Sequence, residues 1–213
     1  MEEKIQEVYE AVLNGAMADT GGLVQEALDA GYGADNILKE GLIAAMGEIG
    51  RLFEAGEVYV PEMLISAKSM KYGLELLRPY LVKADVQPLG RVIIATVQGD
   101  LHDIGKNLVG MMFEGAGFEV IDLGVDVKPE QIIDAVKEHK PDIVAMSALL
   151  TTTMGFMGRA ITLLEESGIR DDVKVMIGGA AITKDFADEI GADRFGADAG
   201  KAANLAKDLI AGK

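Results

Sequence analysis

Apolar residues recur at three- and four-residue spacing through the first 86 positions, then give way from Arg91 onward to short β-branched runs alternating with amphipathic stretches. The first spacing is that of helices with one buried face; the second is that of a sheet whose strands are buried on both faces. Ile5, Val8, Tyr9, Val12 and Leu13 predict a short first helix ended by Asn14-Gly15. Thr20 to Ala30 predicts a second, stopped by Gly31. A third runs from about Ala34 to Glu54 on Ile37, Leu38, Leu42, Ala45, Met46, Ile49, Leu52 and Phe53. The fourth opens at Pro61, a favourable first helical residue, and continues through Leu64, Ala67, Met70, Leu74, Leu77 and Leu81. Four helices with short connections predict a small antiparallel bundle.

Pro88 and Gly90 break the segment KADVQPLG (83–90), which predicts a boundary between a helical domain (1–86) and a second domain (87–213). There RVIIATV (91–97), FEVIDL (118–123), DIVAMS (142–147) and VKVMIG (173–178) predict strands, each followed by a helical pattern. A short fifth strand near Arg194-Phe195 and a last helix from Gly200 to Ala211 complete five βα units. The predicted class is α/β: an N-terminal four-helix bundle followed by a flavodoxin-like (Rossmann-like) five-stranded parallel sheet of order 2-1-3-4-5. In that order a ligand is expected above the carboxyl ends of the first and third strands, where the winding reverses.

Composition narrows the chemistry. With 49% apolar residues the 213-residue chain is that of an ordinary globular protein. Thirty-five acidic against 20 basic residues give −15, which repels phosphate backbones and anionic lipid. With no Cys there are no disulfides or thiolate metal sites, and two His make a metal held by protein ligands alone a poor expectation. MEEKIQEVYE lacks a basic n-region, no apolar h-region follows, and no run of about 18 apolar residues occurs, so the expected location is cytoplasmic.

Polar residues and glycines needed neither for helices nor for turns collect at the predicted strand ends: Gly99-Asp100-Leu101-His102-Asp103-Ile104-Gly105-Lys106-Asn107 after the first, Ser147 to Thr153 after the third, and Gly178-Gly179-Ala180 after the fourth. A carboxylate two residues before a histidine can hold its Nδ1–H and leave Nε2 free as base or metal ligand, with Ser147 available to close a relay. The competing reading makes Asp100 or Asp103 a helix N-cap and His102 an exposed loop residue. A phosphate loop is excluded because five residues, not four, separate Gly99 from Gly105, and Asn107 stands where Ser or Thr is required. A phosphoaccepting receiver is excluded because no acidic pair ends RVIIATV.

Asp100-x-His102-x-x-Gly105, then Ser147-x-Leu149 after 41 intervening residues and Gly178-Gly179 after 28 more, resemble the DxHxxG, SxL and GG elements of the cobalamin-binding domain family. The helical part, GEIGRLFEAGEVYVPEMLISAKSM (47–70), resembles the cap domain of methionine synthase and of small corrinoid proteins of methyltransferase systems, through Gly50, Phe53, Gly56 and Pro61. The resemblance implies a cobalamin or related corrinoid, with cobalt ligated from below by His102 and a relay through Asp100 and Ser147. Asp103, Ile104 and Gly105 would adjoin the corrin. Leu149, Thr151, Thr152, Gly178 and Gly179 would line the slot for the displaced nucleotide tail. Phe195, Ala197, Asp198 and Ala199 would pack at its buried base, where the family often has Tyr at position 195. Met46, Phe53, Tyr59 and Met63 are candidates for the upper-face cap, each with ordinary bundle core as its alternative.

The implied activity is methyl carriage: cob(I)alamin takes a methyl group from a substrate-specific methyltransferase, and methylcob(III)alamin yields it to an acceptor methyltransferase of tetrahydrofolate or coenzyme M type, with a reductive activase as third partner. The protein itself would not be catalytic. The charge, −8 over residues 1–86 and −7 over the rest, would steer docking to basic partner faces. An adenosylcobalamin mutase subunit, a cobalamin-dependent sensor and a corrin-free flavodoxin-like binding protein are the alternatives. The helical part argues against the first, the lack of a basic recognition helix against the second, and the three matched motifs against the third.

Overall fold

In the computed structural model, which describes residues 2–212, the chain divides into two compact units: one runs to Pro88 and takes in Glu114–Gly117, and the other comprises Leu89–Phe113 and the chain from Phe118 onward. The first unit is helical. Its elements are α1 (Glu3–Leu13), α2 (Met17–Asp29), α3 (Ala34–Asn36), a π-helical stretch (Ile37–Ile43), α4 (Ala44–Glu54) and α5 (Val60–Lys83). The expected third helix is thus continuous from Ala34 to Glu54 but widened into a π turn near its start. Ile37 and Leu42, both fully buried, are five residues apart, a spacing that i→i+5 winding stacks on one side. Helix α5 starts where Pro61 predicts, and the Glu62 carboxylate accepts the Tyr59 N–H at 2.7 Å, satisfying a donor that helix geometry leaves free.

The buried hydroxyls Thr20, Ser66 and Ser69 of this unit are paired. Thr20 donates to the Ala16 carbonyl and shares a 2.6 Å hydroxyl–hydroxyl bond with Ser69, while Ser66 donates to the Leu13 carbonyl at 3.3 Å. The bonds from Ser66 and Ser69 tie α5 to the end of α1 and the first turn of α2. No described helix is long and apolar enough to cross a membrane.

The second unit is a five-stranded, all-parallel sheet in the order β2-β1-β3-β4-β5, the expected winding. Its strands are β1 (Arg91–Thr96), β2 (Glu119–Asp122), β3 (Ile143–Ser147), β4 (Lys174–Gly178) and β5 (Arg194–Gly196). Helices α6 (Ile104–Gly115), α7 (Pro129–His139), α8 (Gly155–Glu166), α9 (Lys184–Glu189) and α10 (Ala199–Ala211) connect or follow them. The apolar runs are continuous where both faces are covered: Val92 to Ala95 in β1, Ile143 to Met146 in β3 and Val175 to Ile177 in β4 are buried. The edge strands are shorter and more exposed. The register aligns Thr96 with Ser147 and Ser147 with Gly178, so the loops that follow β1, β3 and β4 leave the sheet at one level.

The glycines there have different origins. Gly179 has φ +125°, and a Cβ on it would lie 2.0 Å from the Ala148 carbonyl oxygen, so the close approach of two loops already demands glycine. Around Gly105 no atom lies within 4 Å of such a Cβ. In the ligand-free protein Gly179→Ala should therefore lose roughly 3 kcal/mol or more. Gly105→Ala, at a helical position in open space, should gain about 0.5–1 kcal/mol. Urea unfolding of the two variants measures both, and equal effects would contradict this account of the loops.

Candidate functional site

The loop after β1 is built from short-range bonds. Gly99 turns in the left-handed region (φ +79°), and the Asp100 N–H donates to the Val97 carbonyl at 3.2 Å. The Thr96 hydroxyl donates to the His102 carbonyl at 3.0 Å, closing the loop across its base. This geometry turns the Asp100 side chain inward, fully buried, and leaves that of His102 53% exposed.

Asp100 gathers five donors. Its Oδ1 accepts the His102 N–H at 3.0 Å and lies 2.7 Å from His102 Nδ1. Its Oδ2 accepts the N–H groups of Leu149 (2.8 Å) and Leu150 (3.3 Å) and the Thr153 hydroxyl (3.0 Å). Burial by itself would raise the carboxyl's pKa. The bonds from His102, Leu149 and Thr153 outweigh it and hold the group well below the usual carboxylate range. Ionised, Asp100 can only accept, so Nδ1 of His102 must be the donor, and in the neutral ring Nε2 keeps its lone pair. The arrangement is a histidine with one nitrogen committed and the other presented outward.

Leu101 (71% exposed), Ile104 (79%), Leu149 (41%) and Leu150 (40%) stand out on the same two loops. Four exposed aliphatic side chains beside an imidazole, over the open space at Gly105, fit a broad apolar ligand and not a small polar one. Among the described residues no group of three or more His, Asp or Glu is placed to hold a metal, so a metal at His102 would bring its remaining ligands with it.

The structure separates the expected site residues. Asp100, His102, Gly105 and Leu149 are brought together. The hydroxyl that reaches Asp100 belongs to Thr153, however, not to Ser147: a turn in which the Thr153 N–H donates to the Leu150 carbonyl brings the chain back, and the Thr153 hydroxyl donates to Asp100 Oδ2. Thr153 is 5% exposed, and Thr151 and Thr152 are exposed. Asp103 accepts from the Asn107 side chain at 3.1 Å. Asp100 takes none of the α6 amides, so the N-cap reading does not describe it. Gly178 ends β4 and Gly179 follows it, beside Ala148. Phe195 packs on the sheet core, exposed Ala197 follows it, Asp198 caps α10 by accepting the Lys201 N–H at 2.8 Å, and Ala199 is buried. Of the cap candidates, Met46 and Met63 are fully buried, as the bundle-core alternative has it. Phe53 is half-buried and Tyr59 is 67% exposed.

The class that fold and site define is a ligand-binding module in which one fixed imidazole meets a broad apolar ligand at the switch point of a parallel sheet. Residues 90–208 match the family described as B12 binding domain, and residues 4–78 match a second family of the same description. The chain belongs to the B12-binding family and binds a corrinoid. Trimethylamine corrinoid protein 1 of Methanosarcina acetivorans is 44% identical over 179 residues, 83% of each chain, and dimethylamine corrinoid protein 2 of the same organism is 39% identical over 213 residues, covering 100% of this chain and 98% of its own. Among solved structures, the methanol:cobalamin methyltransferase complex MtaBC from Methanosarcina barkeri superposes with a TM-score of 0.89 at 31% identity, over 100% of this chain and 81% of that one. A cobalamin-binding protein from Desulfitobacterium hafniense superposes at 0.80 with 29% identity, over 96% and 98%.

The lowered pKa of Asp100 sets a pH dependence. A carboxyl depressed on folding stabilises the protein fully above its unfolded value, about 4, and loses that contribution as pH falls toward its folded value. Asp100→Asn turns an amide donor toward the donors that surround it and should cost about 3–5 kcal/mol at pH 7. The gap between wild type and variant in urea melts should narrow steadily from pH 5 to pH 2; a gap independent of pH would contradict an ionised Asp100.

Proposed function

We propose that this protein is a methyl carrier that works between methyltransferases. The observation that carries the reading is His102, its Nδ1 bonded to a buried, ionised carboxylate and its ring half exposed on an apolar rim. When bound, the corrin supplies the chemistry, since its cobalt takes up a methyl group and gives it to an acceptor. The chain's residues do the rest. His102 would hold the cobalt through Nε2, the nitrogen that Asp100 leaves free. Asp100, braced by Thr153 and the Leu149 amide, fixes the tautomer and sets how strongly the imidazole donates. Leu101, Ile104, Leu149 and Leu150, exposed here, would bury against the macrocycle and keep water from the ligating nitrogen, and Gly105 would leave the space it needs. Thr151, Thr152, Gly178 and Gly179 are our candidates for the nucleotide-tail slot, with Ser147, Phe195, Ala197, Asp198 and Ala199 near its end. Phe53 and Tyr59 remain our candidates for the cap.

The partners we propose are a substrate-specific methyltransferase, an acceptor methyltransferase and a reductive activase. Support for a methyltransferase partner comes from the likeness, over the whole of this chain, to the methanol:cobalamin methyltransferase complex MtaBC. Methylamines are the substrate class we favour, because the relatives at 39 and 44% identity are methylamine corrinoid proteins.

Incubated with hydroxocobalamin and desalted, the protein should retain one corrin per chain. His102→Ala should shift the visible spectrum and weaken retention about tenfold or more. Gly105→Leu should fold as well as wild type yet fail to retain the corrin. A folded wild type that keeps no corrin, or an unchanged spectrum in His102→Ala, would defeat the reading. The bound cobalt is then reduced to the Co(I) state with titanium(III) citrate and methyl transfer assayed with methylamine:corrinoid and corrinoid:acceptor methyltransferases; no methylation of the reduced, loaded protein by any of them would count against the carrier role while leaving corrin binding intact.

A further inference from the structure

The loop that carries His102 is gripped from the side by the segment between β2 and α7, and one residue does most of the gripping. The Asp126 N–H donates to the Asp100 carbonyl at 3.0 Å, and Asp126 Oδ1 accepts the Gly99 N–H at 2.7 Å. Asp126 therefore holds both residues at the turn that aims Asp100 inward. It does so in the left-handed region (φ +54°), where Asp and Asn are the side-chain-bearing residues best tolerated. Flanking bonds make the segment a firm support. Val127 donates to the Thr96 carbonyl and bridges Val97, and Thr96 donates to the Gly124 carbonyl at 2.9 Å. The Gly124 N–H in turn donates to Asp122 Oδ1, and the other oxygen of Asp122 accepts from the buried Lys106 of α6, four residues beyond His102.

We propose that Asp126 is a positioning residue for the cobalt ligand: through the Gly99 amide and the Asp100 carbonyl it fixes the turn on which the Asp100–His102 pair depends. The proposal rests on His102 being the lower ligand. It is exposed, touches neither Asp100's carboxylate nor His102's ring in any bond described above, and acts only through the backbone of the turn.

Three chains separate the contributions. Asp126→Asn keeps the acceptor and the left-handed preference. Asp126→Gly keeps the backbone conformation and removes the acceptor. Each is compared with wild type by titration with hydroxocobalamin and, after reduction to the cobalt(II) state, by EPR on protein labelled with ¹⁵N-histidine, in which a ligating imidazole splits the signal. Asp126→Gly is expected to bind about tenfold more weakly, with a smaller imidazole-split fraction, and Asp126→Asn to match wild type. Wild-type affinity and splitting in Asp126→Gly would overturn the proposal even if that variant melted earlier, since a merely structural role moves the melting temperature alone. A fall in Asp126→Asn equal to that in Asp126→Gly would overturn it too, by assigning the effect to charge. Absence of imidazole splitting in wild type would instead defeat the ligand reading beneath it. Amide exchange of the ligand-free wild type guards against a poorly folded variant: Gly99 N–H should be protected, and exchange at the free-peptide rate would overturn the proposal.

Discussion

Everything at the carboxyl end of this sheet turns on one buried carboxylate. Asp100 has no exposed surface, and a bare charge in that position would protonate or unfold its surroundings. It stays ionised because two loops deliver donors to it: its own through His102, and the β3–α8 loop through the amides of Leu149 and Leu150 and the hydroxyl of Thr153. The same bonds that keep the charge therefore set the relative position of the two loops. A ring nitrogen bonded to an acceptor-only group cannot choose its tautomer, and so the chemistry of His102 follows from the burial of its neighbour.

The sheet supplies the frame for this. Strands β1, β3 and β4 run parallel, side by side and in register, so their ends form a level rim at the point where the winding reverses. Aliphatic side chains that elsewhere fill the core are here turned outward around His102. A surface of that kind is costly in water and gains when a flat apolar ligand covers it. Ligation and apolar burial thus act on one ligand from one surface, which is the combination a corrinoid carrier needs.

The order of elements and their sheet positions were legible in the sequence because fully apolar runs separated by amphipathic stretches admit few arrangements. Asp100, His102 and Gly105 were legible because their types and spacing are unusual at a strand end. Thr153 was not: three threonines follow Leu150, and only the turn that returns the chain under Asp100 distinguishes the third. Asp126 was equally hidden, since its bond partners are a backbone amide and a carbonyl 26 or more residues away. The π-helical start of the helix at Ile37 left only a five-residue interval between two buried positions as its trace. Met46 and Met63 were open to two readings. Their helical spacing is the same for core and for cap, and packing decided in favour of core.

Asp100 commits Nδ1 of His102 before any ligand arrives and so fixes the tautomer of the neutral ring. Long-range ¹H–¹⁵N correlation spectra of the ligand-free protein at pH 8, labelled on histidine, test it directly, since only His102 and His139 contribute. The account predicts that His102 is the Nδ1–H tautomer and that Asp100→Asn abolishes this preference. Finding His102 as the Nε2–H tautomer, or as the averaged mixture of a free side chain, would contradict it.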